Sequence, residues 1–184
     1  MQHESVWARR FVGAAIVQGA LAFGLFVVLL YLGLFGARNE QPSRIVAGGS
    51  VGTWLLVGFT GYLIIGVLAV GLSALFYHYI EVVQGSKYTG LNQGLAWAHL
   101  VLLNVGALGA SWLMMLAGFI GGSHLLSSQT PPPAVYGEVH ARIEYLIGPI
   151  AGFMATGALG VLLGGIGYVR GWMGGRSTAS PGPS

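Results

Sequence analysis

The sequence predicts an all-α, polytopic integral membrane protein whose four transmembrane helices form one bundle. Three observations carry that prediction. Charged residues make up 7% of the 184-residue chain and hydrophobic ones 54%, where soluble domains are about 25% charged. The apolar residues gather into four runs, each longer than the roughly 20 residues that cross a hydrocarbon core. The polar stretches between those runs are too short for a soluble domain, and mean hydropathy is +0.73. Uncharged runs of this length close their backbone hydrogen bonds in lipid as helices.

The chain opens with a polar head, residues 1–10, ending in Arg9 and Arg10. The first span, 11–36, outruns the roughly 7–15-residue core of a cleaved signal peptide, so it is expected to be retained. A polar connection with Arg38, Asn39, Glu40, Pro42 and Arg44 leads to the second span, 49–78. That span closes on the aromatic cluster Phe76, Tyr77, His78, Tyr79, which suits the headgroup level. Lys87, Gly85, Ser86 and Gly90 mark a loop. The third span, 93–121, is the stretch around which the rest is read: Leu91 to Gly122 holds no charge, yet carries His99 and Asn104. Pro131, Pro132 and Pro133 then force an extended segment. The fourth span covers 138–169, and the Gly-, Ser- and Pro-rich tail 170–184 is expected to be disordered. His3 and His124 fall in expected loops.

Basic residues set the orientation. Arg9, Arg10, Lys87, Arg170 and Arg176 share one side against Arg38, Arg44 and Arg142. The positive-inside rule therefore predicts a multi-pass protein of the plasma membrane with both termini cytoplasmic. With no cysteine, the chain itself holds no disulfide, thiolate metal site or iron–sulfur ligand. No basic patch with interleaved aromatics points to nucleic acid.

Small residues replace the hydrophobic effect between helices in lipid. In the fourth span Gly148, Gly152, Thr156, Gly160 and Gly164 recur at every fourth position, a row that winds about 40° per step and makes a slanted packing groove. Pro149 interrupts the donors there. Polar residues inside spans are the candidate sites. His99 has Gly106 and Ala110 along its face, and His78 has Ala74 and Gly71. A bis-histidine haem b needs such a pair of axial nitrogens with flat room beside them; the more ordinary reading is an interhelical bond for His99 and an interfacial seat for His78. Asn104 and Ser111 are expected to bond between helices. At the opposite boundary His140 and Glu144, one turn apart, could ligate a metal, or with Glu138 and Arg142 form an ion-paired cluster. No charged side chain lies near the middle of a span, which argues against a carboxylate-relay pump or a small proton-coupled antiporter. No phosphate-binding loop, nucleophile with a base, or zinc motif is present, so no catalytic residue is assigned.

The segment Leu95–Gly122, with Trp97 and His99 early, Asn104, Gly106 and Gly109 next, then Met114–Met115 and a double glycine, resembles a transmembrane helix of prokaryotic respiratory proteins of the haem–copper oxidase type. The chain lacks that family's adjacent histidine pair, its His-Pro-Glu-Val-Tyr motif and its number of spans. The resemblance thus implies a small companion subunit and carries over no catalytic residue. The leading expectation is an accessory subunit of a membrane complex in electron transport, docked to other subunits through glycine-rich faces, with lipid or quinone in its grooves. A small b-type cytochrome and a homo-oligomeric channel or transporter are the alternatives.

Overall fold

A chain this poor in polar side chains has to satisfy its backbone locally, and it does so in helices. The computed structural model describes residues 5–131 and 133–177. It is helical nearly throughout, with no strand among the described residues. Four stretches are long and apolar enough to cross a membrane: Val6–Phe35, Ser50–Val83, Leu91–Ser127 and Ala134–Gly174.

Helix α1 (Val6–Phe35) starts at Ser5, whose hydroxyl accepts the Ala8 N–H at 2.9 Å. A six-residue helix, α2 (Pro42–Ala47), begins on proline, where the missing donor costs nothing. The second long stretch changes pitch along its length. A 3₁₀ turn (Ser50–Gly52) leads into α3 (Thr53–Gly61), a π-helical segment (Tyr62–Ala69), α4 (Val70–His78) and a second π-helical segment (Tyr79–Val83). Helix α5 (Leu91–Ser127) has 37 residues, roughly 55 Å at 1.5 Å each. Helix α6 (Ala134–Ser177) is longer still and holds Pro149 internally.

Helix ends fall beyond the expected boundaries. The second stretch continues past His78 to Val83, and α6 runs through Ser177 into the expected tail. His124 lies in α5 and not in a loop, while His3 lies outside the described residues. The physical reason is simple: apolar length marks where lipid would end, and a helix can continue into polar surroundings without apolar side chains. An aromatic cluster at 76–79 therefore did not stop the helix.

Helix α5 is the centre of the packing, with α6 against one face and α3 against another, while α1 lies on α4 and the preceding π-helical segment. Both faces of α5 approach their neighbours at backbone distance. A Cβ on Gly106 would sit 2.3 Å from the Gly157 nitrogen of α6, and one on Gly118 would sit 2.2 Å from the Leu55 nitrogen of α3. Helix α1 is attached by a narrow stripe, burying only Trp7, Phe11, Gln18 and Ala22.

Gly106→Ala is expected to cost about 1–3 kcal/mol, as overpacking does, read as a lower thermal midpoint in detergent. Gly24→Ala, whose Cβ meets nothing within 4 Å, is expected to leave that midpoint unchanged or slightly raised. Equal effects of the two would overturn this account of the α5–α6 contact.

Candidate functional site

Halfway along the bundle, three helices meet through polar side chains. Gln18 of α1 is buried, and its Nε2 donates to Asn104 Oδ1 of α5 at 2.8 Å. The fully buried Tyr62 donates its hydroxyl to Gln18 Oε1. Asn104 Nδ2 in turn donates to the Leu100 carbonyl at 2.7 Å. Tyr62 begins the π-helical segment and lies flat on Gly66, where a Cβ would come within 2.8 Å of its ring. The widened turn and the bare glycine together seat the phenol deep enough to reach α1. Ser111 is buried nearby, with its carbonyl against Gly58.

His99 lies toward the amino-terminal end of α5, within an aromatic cage. Its ring centroid is 4.9 Å from Phe11, 5.5 Å from Tyr168 and 6.0 Å from Tyr77, and its Nδ1 shares a hydrogen bond with the Tyr77 hydroxyl at 3.2 Å. Gly164 presses on the imidazole so closely that a Cβ would sit 2.5 Å from Nδ1. His78 is exposed. One residue on from the buried Tyr77 turns its side chain about 100° away, so Tyr77 and not His78 faces His99. The flat room expected beside Gly106 is filled by the α6 backbone. These residues do not fit a bis-histidine haem.

Of the small-residue row on α6, Gly160 and Gly164 seat against α5, where added Cβ atoms would meet Leu103 and His99 at 2.5 Å. Gly148 and Gly152 meet open space, and the Thr156 hydroxyl folds back to the Gly152 carbonyl at 2.9 Å. A row that winds around its helix cannot follow one neighbour over its whole length, so half of it turns outward. His140, Arg142 and Glu144 are all exposed at the start of α6, and no group of three or more potential metal ligands occurs among the described residues. Glu138 instead pairs with His124 at 3.1 Å and accepts from the Thr130 hydroxyl, also at 3.1 Å.

The opposite end is held more firmly. The Glu81 carboxylate accepts from the Ser5 hydroxyl and, at 3.1 Å, from the Trp7 N–H, so it caps the positive end of α1. Arg10 lies 4.5 Å from the ring centres of both Trp7 and Trp97. In the loop before α5, burial first, then the neighbouring Tyr168 phenol and the Glu81 carboxylate, push the Tyr88 phenol above its ordinary range. It therefore stays a neutral donor, bonded to the Gly167 carbonyl at 3.1 Å.

Asn104 was visible as an intruder in an apolar run. Gln18 carried the same signal in the first run, a lone amide among apolar residues. Tyr62 and Glu81 gave no signal, because nothing in a linear pattern reports a widened helical turn, and Tyr77 read only as one ring of an interfacial aromatic cluster.

No protein-family model, curated protein or solved structure matches this chain.

Gln18→Leu removes both of the amide's interhelical bonds and is expected to cost about 1–3 kcal/mol, taking roughly 0.6 to 1.7 kcal/mol for each such bond in a membrane bundle. Tyr62→Phe, which keeps the ring, is expected to cost about 0.6 kcal/mol. Both are measured by unfolding in mixed detergent micelles; a neutral Gln18→Leu would show that the network contributes nothing.

Proposed function

We propose that this chain is a non-catalytic accessory subunit of a larger complex in the plasma membrane, inserted through four spans with both termini cytoplasmic. The observation that carries the reading is the contrast between a closed interior and an open outer edge. Inside, backbone meets backbone at Gly106 and Gly118, and the Gln18–Tyr62–Asn104 network faces its own members. Outside, Gly148 and Gly152 present a bare strip of α6, and α1 is exposed along most of its length. Small residues in such positions let another helix approach closely. A groove of about 320 Å³ beside Phe76, Ile80, Tyr168 and Trp172 suits a lipid chain or a quinone. The link to electron transport rests on the likeness of the α5 segment to respiratory subunits.

The crowded surroundings of His99 and the outward His78 count against the cytochrome reading. A homo-oligomer uses the same open strip with a second copy as occupant, so one experiment separates the two. Because the chain has no cysteine, Gly148→Cys and Gly152→Cys are clean cross-linking probes in native membranes. The expected result is an adduct with a different membrane polypeptide, retained in mild detergent. Adducts only between copies of this chain would favour the homo-oligomer, and a monomer without adducts would sink both. A Soret band on the purified chain that vanishes in His99→Ala would restore the cytochrome.

A further inference from the structure

The loop between the second and third long helices is more tightly built than a connector needs to be. Gly85 and Gly90 adopt φ of +69° and +54°, a region that side chains disfavour, and fold the loop back over α6. Two bonds hold it there. The Ser86 hydroxyl donates to the Gly171 carbonyl at 2.9 Å, and the Tyr88 hydroxyl donates to Gly167. Lys87 is therefore pinned on both sides, with its own side chain exposed. Across from it, Arg170 Nε donates to Asn92 Oδ1 at 3.0 Å, which aims the remainder of the guanidinium. Between them lies a cavity of about 360 Å³ lined by Ser86, Lys87, Asn92, Arg170 and three glycines. Among the described residues two cations and an amide line it, and no carboxylate does.

The wider field has the same sign. Arg9 and Arg10 lie at this end of the bundle, and Glu81, held by Ser5 and Trp7 and lining a neighbouring cavity with Arg10 and Lys87, is the single carboxylate among the described residues there. At the other end Arg38 and Arg44 also line a cavity, of about 480 Å³. There, however, Glu40, Glu138 and Glu144 offset the basic residues, and Arg44 is turned toward Gln41. Aromatic side chains that suit the headgroup level, Tyr79, Trp97 and Trp172, surround the 84–92 end.

We propose that Lys87, Arg170 and Asn92 form a site for the phosphate of an anionic phospholipid, held at the membrane surface by the pinned 84–90 loop. Basic pockets between helices on the cytoplasmic side recognise such headgroups, and a guanidinium held on one edge still offers two donors to phosphate oxygens. The inference rests on the membrane reading above, and the test separates the two.

The full chain in mild detergent is titrated against tail-labelled phosphatidylglycerol and tail-labelled phosphatidylcholine, read by fluorescence polarisation. With about 1 kcal/mol per basic residue near the surface, two residues favour the anionic lipid by roughly 30-fold. The double variant Lys87→Gln with Arg170→Gln is expected to abolish that preference. The charge-matched Arg38→Gln with Arg44→Gln is expected to retain it, and Asn92→Leu, a milder change, to lose several-fold. Equal binding of the two lipids overturns the proposal, as does equal loss in both double variants, which would reduce the effect to net charge. Displacement of the lipid by an equal concentration of inorganic phosphate would assign the site to a soluble anion and overturn the lipid. Release of the chain from membranes by alkaline carbonate would sink the membrane reading itself. Retention of the chain without lipid preference would sink only this site.

Discussion

The rest of the structure depends on how closely the backbone of α5 is allowed to approach its two neighbours. Where helices have little hydrophobic incentive to associate, dispersion contacts and weak Cα–H···O contacts across a short interaxial distance have to hold them. Gly106 opposite Gly157, and Gly118 opposite Leu55, bring main chains together with no side chain between them. The two contacts lie on different faces of the same helix, so α5 works as a shared wall. Its buried positions, from Ala96 through Gly122, follow from that shared role.

On this framework the polar groups have two different tasks. Gln18, Tyr62 and Asn104 form a directional chain: a phenol donates to one amide, which donates to the next, which donates to a carbonyl. Every member has one orientation that satisfies its partners, so the chain fixes the relative height of three helices. His99 and its aromatic cage instead fill volume and spend one nitrogen on Tyr77. The first group sets register, and the second closes one end.

The helical class and the four long segments were legible from composition and run length alone, because those report the solvent a chain can tolerate. Boundaries were less so. Val83 and Ser177 lie past the apolar limits because helical hydrogen bonding does not end where lipid would. The partner of His99 was not legible either. His78 and Tyr77 are adjacent in sequence, and only the pitch of α4 decides which of them points inward. The widened turns at Tyr62 and Tyr79 left no trace in the linear pattern, although Gly66 beneath the Tyr62 ring supplies the space. The small-residue row of α6 was plain to read, but which half would find a neighbour depended on how α5 crosses it.

The hydrogen bond from Gln18 to Asn104 also bears on the order of events during synthesis. The acceptor lies 86 positions downstream of the donor, on a segment that leaves the ribosome two long helices later. Until then Gln18 and Tyr62 have only each other, and the outgoing amide hydrogens of Gln18 have no permanent home. The donor helix thus waits, polar group unspent, for the acceptor helix to arrive.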